Sequence, residues 1–289
     1  MTVLSESDIV HFREQGYVIV PNAVPLANCQ AVVDALFTFL EMKQGDPSDW
    51  YRAPLAPGGM VEMYQHQALW NNRQAPRIHG AIADLFGTEK LWVTIDRANL
   101  KPAFHEAHPE YDHKGFTHWD MDTNDLSETG MGERRFGVQG VLYLTDTTKA
   151  MGGFTCVPGF HNDLATWIKE QPADRNPRQP DLSRLPAGRA VVPVAGNVGD
   201  FLIWDKRLAH GNGRNLSDKP RLAQYISMFR ADDTQTDHRT QRVSWWQERT
   251  PPPYNWAIGD PRRWEQTHGT TAELSPLGRK LLGLDDWGA

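Results

Sequence analysis

Five short runs rich in β-branched and aromatic residues occupy the chain from Leu91 onward, each bounded by Gly, Pro, Asn or Asp. They are Leu91–Ile95, Phe136–Leu144, Ala190–Val194, Phe201–Trp204 and Leu222–Phe229. Strands this short, separated by turn residues, bury their apolar faces by closing into an antiparallel barrel or sandwich. The part before them reads differently. Ser5-Glu6-Ser7-Asp8 is a capping box for a helix carrying Ile9, Val10 and Phe12, stopped at Gly16. Tyr17-Val18-Ile19-Val20 is a compact strand ended by Pro21. Pro25 suits the first turn of a second helix, which aligns Leu26, Cys29, Val33, Leu36, Phe37 and Leu40 along one face.

Helices first and strands later predict a mainly β chain with a helical buttress on its outside. No linker rich in Pro, Gly or Ser divides the 289 residues, so one domain is expected. Residues 1–90 would form the buttress with its short strand, 91–230 the core and 231–289 a C-terminal wrap. In that wrap Trp245-Trp246, Pro251-Pro252-Pro253 and Trp256 read as an extended segment.

Charge narrows the function. With 30 basic and 36 acidic residues and a net charge of -6, no basic track exists to neutralise phosphates, which argues against nucleic acid as a partner. No run of apolar residues is long enough to span a membrane. The segment Met1–Asp8 lacks the basic and apolar regions of a signal peptide, and the two distant cysteines, Cys29 and Cys156, read as free thiols in a reducing cytoplasm. The expected partner is a small molecule; the oligomeric state stays open.

The most informative phrase is Phe116-Thr117-His118-Trp119-Asp120. On an extended chain, residues two apart share a face, so His118 and Asp120 can reach one metal ion together. A third candidate, His210, follows the strand Phe201–Trp204. Two imidazoles and one carboxylate leave three positions of a six-coordinate ion open, the arrangement of non-haem Fe(II) oxygenases. Arg221 stands eleven residues after His210 at the start of the last run. Its planar fork suits a carboxylate at two points, as a keto-acid cosubstrate requires.

In order, His118-x-Asp120, Gly199-Asp200-Phe201-Leu202-Ile203-Trp204, His210-Gly211-Asn212-Gly213-Arg214-Asn215-Leu216-Ser217 and Arg221 resemble the phytanoyl-CoA dioxygenase family. The opening around Phe12 and Gly16–Val20 and the tail Leu274–Leu282 resemble it too. The resemblance implies a double-stranded β-helix (jelly-roll, cupin-like) core. It also implies Fe(II), 2-oxoglutarate and O2, with release of succinate and CO2. It assigns His118, Asp120 and His210 to the metal and Arg221 to the distal carboxylate of 2-oxoglutarate. Lys101, before Pro102, falls near the cosubstrate. Asn212 stands where members often carry a small hydroxyl residue, and Trp119 where many carry Gln. The expected activity is hydroxylation of a small, polar organic molecule. The alternatives are the same iron chemistry ending in desaturation, epimerisation or cyclisation, or a catalytically silent jelly-roll binding protein.

Two polar segments flank the motif. Phe104–His113 carries His105, His108 and His113 and reads as a loop near the pocket mouth rather than a second metal site. Met121–Arg135, with Asp122, Asn124, Asp125, Arg134 and Arg135, is either solvated surface or a substrate lid.

Overall fold

The computed structural model describes residues 2–125 and 136–288, so Arg134 and Arg135 of the second polar segment lie outside the described residues. The capping box forms at the start of α1 (Glu6–Gln15): Ser5 Oγ accepts from the Asp8 N–H, and the Asp8 carboxylate accepts from the Ser5 N–H. Gly16 ends the helix at φ 84°, a left-handed value that a side chain would strain. Strand β1 (Tyr17–Val20) follows, then α2 (Leu26–Leu40). Pro25 sits just before α2 rather than inside its first turn. Cys29, Val33, Leu36, Phe37 and Leu40 are buried as their spacing requires, but Leu26 is exposed. Two further helices, α3 (Gln67–Arg73) and α4 (Pro76–Phe86), complete the N-terminal part, with the two-residue strand β2 (Met60–Val61) before them.

The remaining strands are β3 (Leu91–Val93), β4 (Ala98–Lys101), β5 (Val138–Tyr143), β6 (Phe154–Cys156), β7 (Val192–Pro193), β8 (Phe201–Asp205), β9 (His210–Asn212), β10 (Arg221–Tyr225) and β11 (Met228–Arg230). They form a six-stranded sheet in the order β1-β8-β5-β10-β4-β2, a three-stranded sheet β7-β6-β9, and the pair β11-β3, all antiparallel. Alternation along the large sheet decides what each face meets. Val141, Tyr143, Leu202, Trp204 and Ala223 share one apolar cluster with Phe154, Cys156 and Val194 of the small-sheet segments. Their alternates Leu142, Phe201, Ile203 and Leu222 share another with Cys29, Val32, Val33 and Leu36 of α2. Each fully buried Leu, Ile or Phe contributes about 1.5–3 kcal/mol, so a sheet covered on both faces is the natural anchor of the fold.

Two expectations fail. The run Leu222–Phe229 is not one strand: β10 pairs with β4 and β5, whereas β11 pairs with β3 in a different sheet. The break lies at Ile226-Ser227, where Ile226 N–H turns to the Gly140 carbonyl and Ser227 C=O accepts from Thr94 N–H. Likewise Trp245-Trp246 is helical, within α6 (Thr236–Glu248), and Trp246 Nε1 donates to the Ala272 carbonyl at 3.0 Å. Two short helices follow, α7 (Trp264–His268) and α8 (Pro276–Leu282). A further helix absent from the sequence reading, α5 (Phe160–Lys169), lies between β6 and β7. No helix among the described residues is long and apolar enough to cross a membrane.

Candidate metal centre

His118 and His210 face each other across a single antiparallel bridge, their N–H groups donating to each other's carbonyls at 2.7 and 3.0 Å. Directly opposed residues of such a pair project to one side, so the backbone itself brings the two imidazoles together. Asp120, two residues further on, returns to the same side: its Oδ1 lies 3.3 Å from His118 Nε2 and its Oδ2 3.5 Å from His210 Nε2. One ligand atom from each of the three lies within 4.8 Å of the others. Among the described residues no other His, Cys, Asp or Glu group converges in this way; His105 and His108 instead pack against the Tyr51 ring.

Two members are held from behind, while His118 Nδ1 has no hydrogen-bond partner among the described residues. His210 Nδ1–H donates to the Leu208 carbonyl at 2.9 Å, which fixes the tautomer and leaves Nε2 as the lone-pair donor. Phe154 stacks on that ring with centroids 5.9 Å apart, and Trp204 approaches to 5.1 Å. Gln139 Nε2 donates to Asp120 Oδ2 at 2.6 Å. Burial alone would raise the Asp120 carboxyl, but the neighbouring His118 and His210 imidazoles and the Gln139 amide outweigh it and hold it far below the ordinary carboxylate range. Trp119 points the other way, into Phe160 and Trp167, and its Nε1 donates to the Arg207 carbonyl at 2.9 Å. It therefore anchors the segment instead of facing the ligands.

A cavity of about 190 Å³ opens from the three side chains and is also lined by Arg221, Asn212, Tyr225 and Gln139. Arg221 is 1% exposed; Nη1 donates to Asn99 Oδ1 at 3.2 Å, while Nε and Nη2 have no hydrogen-bond partner among the described residues. A buried guanidinium with two donors unsatisfied is costly unless an acceptor comes to it. A carboxylate of a keto acid fits that need, and the two-imidazole, one-carboxylate set beside it fits Fe(II). Lys101 lies opposite Arg221 in the β4–β10 register, but its Nζ donates to the His113 and Gly213 carbonyls. Burial, then the neighbouring Arg221, push the Lys101 amine down to about 8.

Among the polar side chains not singled out from the sequence, Gln139 and Asp96 line this cavity and Asn99 stands behind it on Arg221. Gln139 alternates with Val141 and Tyr143 in β5, so a polar residue on the strand's inward face was its visible signal. Asn99 shares a face with Lys101 in β4, and Asp96 lies just before that strand; neither stands out without the fold.

A family model described as phytanoyl-CoA dioxygenase matches residues 12–223. An ectoine dioxygenase of Bordetella parapertussis is 30% identical over 162 residues, which is 52% of this chain and 50% of that protein. Among solved structures, the epimerase SnoN in complex with Fe3+, alpha ketoglutarate and nogalamycin RO superposes with a TM-score of 0.55 at 20% identity, over 78% of this chain and 83% of that one. EctD from S. alaskensis, solved with 2-oxoglutarate and 5-hydroxyectoine, gives 0.55 at 20% identity over 79% and 77%.

Proposed function

The chain belongs to the phytanoyl-CoA dioxygenase family and is a non-haem iron(II)- and 2-oxoglutarate-dependent oxygenase, and from that premise we propose that it hydroxylates a small, polar organic molecule, releasing succinate and CO2. In this reading His118, Asp120 and His210 hold the iron and Arg221 grips the distal carboxylate of 2-oxoglutarate. The single observation that carries it is Arg221: buried, with two donors unsatisfied, on the same cavity wall as the three converging ligands. When bound, the metal with 2-oxoglutarate and O2 supplies an oxidant strong enough for an unactivated C–H bond.

The rest is the work of the chain's own residues. His210 offers Nε2 because Leu208 holds Nδ1, and Gln139 orients the Asp120 carboxylate toward the imidazoles. Phe154 and Trp204 keep water from the His210 side. Asn212, two residues after His210 on the cavity wall, contributes a polar edge toward the cosubstrate. Lys101 acts at one remove, setting the backbone at Gly213 beside Asn212. We read residues 1–289 as one domain, a jelly-roll core with the N-terminal helices as its outer buttress. A second outcome is epimerisation on the same iron site, the reaction named for the structural neighbour SnoN.

Anaerobic mixing with Fe(II) and 2-oxoglutarate tests the reading. A visible charge-transfer band and succinate release in air are expected from the wild type, and both should vanish in His210→Ala. Absence of both from the wild type would leave a silent binding protein.

A further inference from the structure

The inner cavity opens into a wider cleft of about 1160 Å³, and four residues, Asp96, Asp120, Gln139 and Ser227, line both. A substrate that enters from the cleft meets these four residues on its way to the metal centre. Resting on the oxygenase reading above, we propose that the substrate is a zwitterion of the amino-acid type, its cationic nitrogen held by Asp96 and Gln139 and its acid group by Arg178.

The charge of Asp96 is only partly offset by its neighbour. Its Oδ1 accepts from the Arg97 N–H at 2.7 Å, but the Arg97 guanidinium is drawn to Glu62 at 2.5 Å and reaches Asp96 Oδ1 only through Nε at 3.4 Å. Gln139 gives its amide N–H to Asp120, which turns its Oε1 into a buried acceptor with no hydrogen-bond partner among the described residues. A carboxylate and an amide oxygen at one throat are acceptors only, and a buried acceptor needs a donor. An ammonium satisfies both and adds charge. Burial raises the Asp96 carboxyl, against the pull of Arg97, and a cation arriving there favours the ionised form.

The opposite requirement comes from Arg178, which also lines the cleft. Its Nη1 donates to the Asp120 backbone carbonyl at 3.3 Å, and no carboxylate pairs with it among the described residues. The residue is exposed, but its backbone is tied down. The Arg178 carbonyl accepts from Trp119 N–H, the Pro177 carbonyl from Thr123 N–H and Oγ1, and Arg175 donates to Thr123 Oγ1 and Asn124 Oδ1. A guanidinium reaching over the metal-ligand segment from an anchored backbone recognises a carboxylate or phosphate. Phe86, Phe229 and Trp256 on the cleft wall offer an apolar surface for the substrate body.

The test uses the anaerobic holoenzyme with Fe(II) and 2-oxoglutarate, titrated calorimetrically with L-phenylalanine, L-phenylalaninamide and N-acetyl-L-phenylalanine. These carry both charges, the cation alone and the anion alone. The zwitterion should bind about tenfold tighter than either analogue, as one charge-assisted hydrogen-bonded contact is removed in each. Asp96→Asn should bring L-phenylalanine to the level of the N-acetyl form, and Arg178→Ala to the level of the amide. Both variants should bind 2-oxoglutarate within about twofold of wild type, by the expectation that additivity holds for separate contacts. Equal behaviour of the three probes, absence of binding by all three included, overturns the proposal. So does a zwitterion preference that survives both substitutions, which would mean direct chelation of iron. Failure of the wild type to bind 2-oxoglutarate would instead sink the oxygenase reading.

Discussion

Arg221 shows how much one side chain can decide. Its Nη1 is oriented by Asn99, whose own Nδ2 donates to the Gly58 carbonyl at 3.1 Å, so the guanidinium is aimed before any ligand arrives. Arg221→Lys keeps the charge but loses the planar fork. With a charge-assisted hydrogen bond worth about 1.5–3 kcal/mol, 2-oxoglutarate affinity should fall more than tenfold while metal affinity stays near wild type, as measured by paired titrations. His118, Asp120, His210 and Arg221 were legible because their residue types are rare partners for one another at those spacings. Asn99, Gln139 and Asp96 were not: an amide or a carboxylate in a strand region is common, and only the registers of β4 and β5 show that Gln139 and Asp96 line one cavity and that Asn99 backs it through Arg221.

Elements explain why the ligand segment holds still. The stretch around His118 is no regular strand; one backbone bridge and the Trp119 anchor define it. Trp119 is 1% exposed, and truncating a buried Trp to Ala costs about 3–5 kcal/mol. Trp119→Ala should therefore lower the denaturation midpoint of the metal-free protein and weaken Fe(II) binding together. Loss of stability with unchanged metal affinity would show that the bridge alone positions His118 and Asp120. The strand pattern of the sequence located β5 and β8 closely, since both are largely buried on both faces and read as apolar runs, broken in β5 only by Gln139 and Gly140. It could not show that the chain bends at Ser227, because no Gly or Pro marks the join of β10 and β11, and the two part only in which sheet accepts them.

At the scale of the whole molecule, the C-terminal helices reach back to the N-terminal half through a buried carboxylate. Glu265 of α7 accepts from the backbone N–H groups of Tyr64 and Gln65, each at 2.7 Å. Burial, only partly offset by these bonds and by Arg73, pushes its carboxyl up from 4.5 to about 7. The folded state thus binds this proton more tightly than the unfolded chain, so its contribution to stability is full below about 4.5 and is lost as pH rises through about 7. Melting temperatures measured from pH 5 to 8 should show this decline, and Glu265→Gln should flatten it; an unchanged slope would place the titration elsewhere. Helices before strands set the architecture in the sequence, but this contact joins residues 200 positions apart and left no local trace. The bridge that pairs His118 with His210 also governs time. His210 is also held in β9 by its register with Cys156, so opening of this rung frees the His118 side while His210 keeps its place. In the iron site proposed, loss of the ion to an added chelator should accordingly stop accelerating at high chelator concentration, its plateau being the rate at which the protein's own side chains let go.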